Sequence, residues 1–250
     1  MRHTLNMRMA GLMAVLGLAL AGCDIPTAST APTIDKPDRT AQVTPTSTGQ
    51  SIGSNERAIA RAFIDVVETL EPVAERECRQ RSPRLDCDFQ IVLDDRPQPP
   101  NAYQTLDDNG RPIIAFTQSL LLEMRNSDEI AFVMAHEAAH HIENHLSQQR
   151  RNASVGAVVF GQLAGVTGGG EAAIRTAQEL GAAVGARSYS KDFELEADRL
   201  GTILAARAGY DPVRGAAFFN RVPDPGDQFL GTHPPNAERV QMVLDTAAGL

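Results

Sequence analysis

Apolar residues recur every three or four positions at Ile59, Phe63, Val66, Val67, Leu70 and Ala74, a spacing that predicts an amphipathic helix. Pro72 should bend that helix or start a second segment, and Cys78 continues its stripe. Two shorter runs, Asp88 to Leu93 and Arg111 to Thr117, read as strands. Proline-rich sequence and the turn chemistry of Asp107-Asp108-Asn109-Gly110 lie between them, so a small antiparallel sheet is expected. Asn126-Ser127-Asp128-Glu129 offers an N-cap with acidic residues in the first turn, and a helical pattern follows to about Arg151. Between Ala153 and Ala186 glycine and alanine dominate, with Gly168-Gly169-Gly170 in the middle. A transmembrane hairpin could be built from this stretch, but a mobile helical pair or loop over the functional site is the preferred reading. A further helix runs from about Lys191 to Ala208 and stops at Gly209. Asp211 then caps the next helix with Pro212 at its first position, and Pro235 to Ala247 reads as the last one. The fold class is therefore α+β, mainly helical.

The N-terminus follows a different pattern. Arg2, His3 and Arg8 precede an apolar run from Met9 to Ala21, which reads as a secretory signal and is short for a membrane span. The run ends Leu20-Ala21-Gly22-Cys23, which resembles the lipobox of bacterial lipoproteins. That resemblance implies a signal peptide over 1–22 and a lipid on Cys23 that anchors the protein to the periplasmic face of a membrane. Asp24 favours the inner membrane by analogy with enterobacterial lipoproteins, with the outer membrane left open. Residues 23–54 are rich in Thr, Ser, Pro, Ala and Gln and have too little apolar surface to offset the entropy of ordering, so they read as a tether. Its root-mean-square reach is roughly 30 Å. The folded domain is expected over 55–250.

Charge and cysteines narrow the function classes. Removal of residues 1–22 takes away Arg2 and Arg8 and no acidic residue, leaving 21 Lys and Arg against 31 Asp and Glu, a net charge of −10. A polyanion would be repelled, so nucleic acid is excluded as a partner. Beyond Cys23, the remaining cysteines are Cys78 and Cys87. In an oxidising compartment they should form a disulfide contributing about 2–3 kcal/mol, the alternative being two buried thiols.

The chemistry concentrates in His136-Glu137-Ala138-Ala139-His140, an HExxH pattern inside a predicted helix. One helical turn separates the histidines, so both imidazoles lie on one face and can take adjacent corners of a zinc tetrahedron. Glu137 projects beside the metal, placed to take a proton from an activated water. Ile130, Val133 and Met134 share the motif's side, as a buried face requires. A catalytic zinc needs a third protein ligand, and the candidate is Glu194. Asp198, four residues on, shares its face and would orient a ligand imidazole. Gly201 and Ala205 extend that stripe with small residues, which lets this helix come close to the first. Glu196 should face away. His141, His145 and Cys78 read as structural, and no second metal site is expected.

HExxH followed by Glu-x-x-x-Asp resembles the HtpX-type metallopeptidase family, which also holds the CaaX prenyl endoprotease and the BepA-like periplasmic proteases. Further matches are Pro100-Asn101-Ala102-Tyr103, similar to the family's segment before its edge strand, His145 after the motif, and Gly231-Thr232-His233-Pro234-Pro235 with Glu238-Arg239. Lys191, where arginine is common, and Thr117-Gln118-Ser119 depart from the pattern without touching a ligand. The resemblance implies a zincin-like fold with one Zn2+ per chain. It implies a metalloendopeptidase that hydrolyses polypeptides with a zinc-activated water, in quality control of misfolded or misassembled envelope proteins. It also implies that His233 helps hold the oxyanion or approaches the metal, and that the strand from Arg111 to Thr117 is the edge on which substrate pairs. A chaperone or assembly factor with a latent zinc site is the alternative function. The oligomeric state is left open.

Overall fold

In the computed structural model, residues 54–188, 190–224 and 233–250 are described. The expected signal peptide, Cys23 and the tether up to residue 53 lie outside them, as do Gly231 and Thr232. Helix α1 (Ser54–Arg81) runs through Pro72 and does not restart there. It buries the predicted stripe of Val66, Leu70, Ala74 and Cys78. Cys78 is disulfide-bonded to Cys87, with Cα atoms 5.7 Å apart, which ties the end of α1 to the approach to β1.

The sheet has three strands, β1 (Gln90–Asp94), β2 (Ala102–Leu106) and β3 (Pro112–Thr117), in the order β1-β3-β2. Its pairing corrects the sequence reading twice. β1 lies parallel to β3, with Gln90 opposite Ile113, whereas β2 lies antiparallel, with Ala102 opposite Phe116. The sheet is therefore mixed, and β3, expected as the edge, is its centre. The physical reason is visible in the strand itself: Ile114, Ala115, Phe116 and Thr117 are all buried in succession, as befits a strand covered on both faces. β1 and β2 are the edges, and β2 is half-buried along its whole length.

Thr117 ends β3 and caps the short α2 (Gln118–Glu123) by accepting a hydrogen bond from the Leu120 backbone N–H. Asn126 caps α3 (Ser127–Ile142) in the same way through Glu129 N–H. α3 stops nine residues short of the expected Arg151 because Asn144 adopts a left-handed backbone, φ 58°, a conformation that asparagine tolerates better than most side chains. The chain turns there into α4 (His145–Val166), which returns as α5 (Glu171–Arg187). A Cβ added at Gly156 would stand 2.0 Å from the Gly181 carbonyl oxygen, so the two backbones of this hairpin are in contact. Among the described residues, no helix is long and apolar enough to cross a membrane.

α6 (Ser190–Arg207) ends at Gly209, φ 88°, and is followed by α7 (Pro212–Ala216), whose first N–H groups are capped by Asp211. α8 (Asn236–Ala247) closes the described chain. The core surrounds α3: Ile130, Phe132, Met134 and Ile142 are buried with Val66 and Leu70 of α1 and Leu200 and Leu204 of α6. Where α6 crosses α3, a Cβ on Gly201 would lie 3.0 Å from His136 N and 3.1 Å from its Cα. A residue without a side chain is what lets the two helices meet at the HExxH motif.

Candidate metal centre

The crossing of α3 and α6 brings together the three expected ligand atoms. Nε2 of His136 and Nε2 of His140 are 3.0 Å apart, and each lies 3.4 Å from a carboxylate oxygen of Glu194. His136 faces Oε2 and His140 faces Oε1, and since four-coordinate zinc with bonds of about 2.0–2.1 Å sets its ligand atoms about 3.3 Å apart, the spacing suits one ion held between both imidazoles and the carboxylate. Glu194 Oε2 is buried and makes no hydrogen bond, although His136 Nε2, His233 Nδ1 and Arg239 Nη2 approach within 3.4, 3.0 and 3.5 Å. A buried carboxylate oxygen left without a hydrogen bond beside an imidazole nitrogen is a position that a cation fits. Among the described residues, His136, His140 and Glu194 form the group able to hold a metal ion.

Charge supports the same fit. Burial opposes ionisation of Glu194, yet His136, His140 and His233 outweigh it and hold the carboxyl well below its usual range. Burial likewise disfavours the His136 imidazolium, but Asp198 and Glu194 push its pKa up to about 9. The protein groups alone therefore draw a positive charge to this point, a role that a divalent ion fills with release of that proton.

Asp198 is fully buried and stands where the sequence reading put it: His136 Nδ1 lies 2.9 Å from its Oδ1. With Nδ1–H donating to this carboxylate, His136 keeps its Nε2 lone pair for the cluster. Asp198 is itself gripped by Arg239, whose Nε and Nη2 donate to its two oxygens at 2.7 Å each. The guanidinium lies over the Phe219 ring, 4.0 Å from its centroid. Arg239 was missed as a site residue, and its only sequence signal is the Glu238-Arg239 step of the family resemblance.

His140 is supported differently. Its Nδ1 lies 2.9 Å from Nδ1 of His145, and His145 Nε2 lies 3.0 Å from Glu196 Oε2. Glu196 leaves the metal-facing stripe, as the helix spacing requires, and meets His145, which in turn touches a proposed ligand. The Asn144 turn, invisible to a helical wheel, folds the start of α4 back over the edge of α6. His141 remains structural: its Nε2–H donates to the Asp86 carbonyl oxygen at 2.7 Å, and its ring meets Phe89 edge-on.

A cleft of about 710 Å³ opens over the cluster, lined by His136, Glu137, His140 and Glu194. It is also lined by Asn101, by Ala102, Tyr103 and Gln104 of the β2 edge strand, and by Phe132, Phe218, Phe219 and Val222. His233 stands at this cleft, its side chain 52% exposed, beside Glu194. From the helical hairpin only His145, Leu146 and Gln149 at its base line the cleft, which corrects the expectation that residues 153–186 lie over the site.

A sequence profile of peptidase family M48 matches residues 62–247. A Vibrio cholerae serotype O1 protein named as a beta-barrel assembly-enhancing protease is 33% identical over 141 residues, covering 51% of this chain and 29% of that protein. The beta-barrel assembly-enhancing proteases of Escherichia coli O157:H7 and K12 are 33% and 32% identical over 122 residues, covering 44% of this chain and 25% of each. The matched segments thus span less than a third of these relatives.

Proposed function

The chain belongs to peptidase family M48 and is a metallopeptidase, and on that premise we propose that it is a zinc-dependent endopeptidase of the bacterial cell envelope, cutting misfolded or misassembled envelope proteins. The observation that carries the reading is the convergence of His136, His140 and Glu194 within 4.8 Å of one another at the floor of a cleft that Glu137 also lines. The envelope assignment draws on the names of the relatives and on the lipoprotein-like N-terminus.

His136, His140 and Glu194 would hold the ion, which when bound supplies a Lewis acid for a water and for the scissile carbonyl. Glu137 takes the water's proton and returns one to the leaving amine. Asp198 keeps His136 in the tautomer that binds through Nε2, and Arg239 keeps Asp198 ionised and in place. His233 serves as the group that helps hold the carbonyl oxygen. Substrate lies along β2, the sheet edge beside the cleft, by backbone pairing that leaves side-chain preference weak. A lipid on Cys23 anchors the domain through the tether of residues 23–54, at the inner or the outer membrane.

Zinc content per chain tests the ligand set: the parent should hold one ion, and His136→Ala and Glu194→Ala should each lose it. Retention in Glu194→Ala would send the third corner elsewhere. Unfolded casein tests the chemistry. The parent should cut it, while Glu137→Gln should bind zinc equally and be slower by about 10²–10⁴-fold. If both are silent on casein yet both suppress aggregation, the assembly-factor reading replaces this one. Cys23→Ala should release the protein from the membrane fraction, and a variant that stays bound would defeat the lipid anchor.

A further inference from the structure

The two imidazoles of the cluster are supported in unlike ways. His136 meets Asp198 directly, whereas His140 meets a second imidazole that in turn meets Glu196. We propose that Glu196 and His145 form a tautomer relay that positions His140 for metal binding. This inference rests on the zinc reading of the site.

The relay follows from donor and acceptor chemistry at each link. An ionised carboxylate only accepts, so the 3.0 Å contact from Glu196 Oε2 requires the proton of neutral His145 on Nε2. His145 Nδ1 is then a lone pair, and the 2.9 Å contact with His140 Nδ1 requires that His140 carry its proton there. His140 Nε2 is thereby left as a lone pair facing His136 Nε2 and Glu194 Oε1. Three groups, each with one consistent choice, deliver the tautomer that a metal needs. Reversal of any link would point an N–H at the ion.

The intermediate ring is held for this task. His145 is buried at the first position of α4, and its ring stacks on Phe193 of α6 with centroids 4.5 Å apart and planes 16° from parallel. Phe193 precedes Glu194 in the chain, so one turn of α6 supplies a metal ligand, the stacking partner of His145 and the carboxylate that orients it. Glu196 is 49% exposed whereas Asp198 is fully buried, so water can partly stand in for the outer link but not for the inner one.

The test uses the purified full chain and three variants. His145→Phe keeps the stacked ring and removes both nitrogens, Glu196→Ala removes the outer acceptor, and Glu196→Gln retains an acceptor oxygen. Zinc affinity, measured by chelator competition, should weaken about 10–100-fold in His145→Phe and about tenfold in Glu196→Ala, with Glu196→Gln restored toward the parent. Nitrogen-15 spectra of the metal-free parent should show His145 protonated on Nε2 and His140 on Nδ1. Unchanged affinity in His145→Phe, or a parent His145 protonated on Nδ1, overturns the relay. If His145→Phe does not fold, judged by its thermal midpoint without metal, the Glu196 pair decides: equal affinities and tautomers in Glu196→Ala and Glu196→Gln overturn it. A parent that holds no zinc would instead sink the metal reading, and the tautomers alone would then judge the relay.

Discussion

At Gly201, α6 lies against the backbone of α3; at Gly156 and Gly181, α4 and α5 lie against each other more closely still. The surroundings differ. Around Gly201 the neighbouring positions carry Leu200, Leu204 and Met134, all buried, and two helix faces whose imidazoles and carboxylates meet. In the hairpin the small residues face inward and the large ones outward: Val158, Val159 and Leu163 are exposed, and Val166 is 88% exposed. Close approach by itself is thus only a spacing. At the first crossing that spacing sets the distance from Glu194 to His136 and His140; in the second it sets nothing chemical that the described residues reveal.

The first crossing should break hardest where its buried charges are unpaired. Arg239→Leu leaves Asp198 buried beside His136 without the guanidinium that donates to both its oxygens. Removing one partner of a buried pair costs about 3–5 kcal/mol, which a urea unfolding curve of the metal-free protein would report. The hairpin, whose Arg175–Glu171 pair is exposed, should show at most about 0.5 kcal/mol for the equivalent Arg175→Leu. Equal losses would mean that the network around Asp198 is no more desolvated than the surface.

How far the sequence reveals each region follows from the same contrast. His136, Glu137 and His140 are legible because their spacing is the chemistry, and Glu194 with Asp198 because one helical turn puts them on the face that Gly201 continues. Glu196 and His145 escape that logic: the wheel of α6 turns Glu196 away, and only the left-handed turn at Asn144 brings His145 under it. β2 was missed because Ala-Tyr-Gln-Thr-Leu is half-buried throughout and carries no alternation, and that omission made β3 look like an edge. The hairpin's helices were legible as a pair, but their coverage of the site was not, since it depends on the direction in which α4 leaves α3.

A smaller effect should separate the two glycine contacts. In Gly201→Ala the new methyl meets backbone at 3.0 Å, so α6 must shift by a few tenths of an ångström. Overpacking of this kind costs about 1–3 kcal/mol and moves Glu194 off its two partners, so both the thermal midpoint and the zinc affinity should fall. Gly181→Ala meets the Gly156 carbonyl oxygen at 2.2 Å, a harder clash, yet α4 and α5 can splay into solvent. Faster amide exchange confined to the hairpin, with zinc affinity kept, is the expected result. A loss of zinc in Gly181→Ala would show that the hairpin is mechanically coupled to the cluster.

The smallest expected effect tests the outer face of the hairpin. Val159→Ser with Leu163→Ser deletes two large apolar side chains, which in a core would cost several kcal/mol. Both are already more than half exposed, so little transfer free energy is lost and no cavity forms. Stability should therefore change by no more than about 0.5 kcal/mol per site, read from the midpoint of denaturant unfolding. A loss several times larger would mean that these side chains are buried in the protein as it exists in solution, and the hairpin would then have to be counted as a second core.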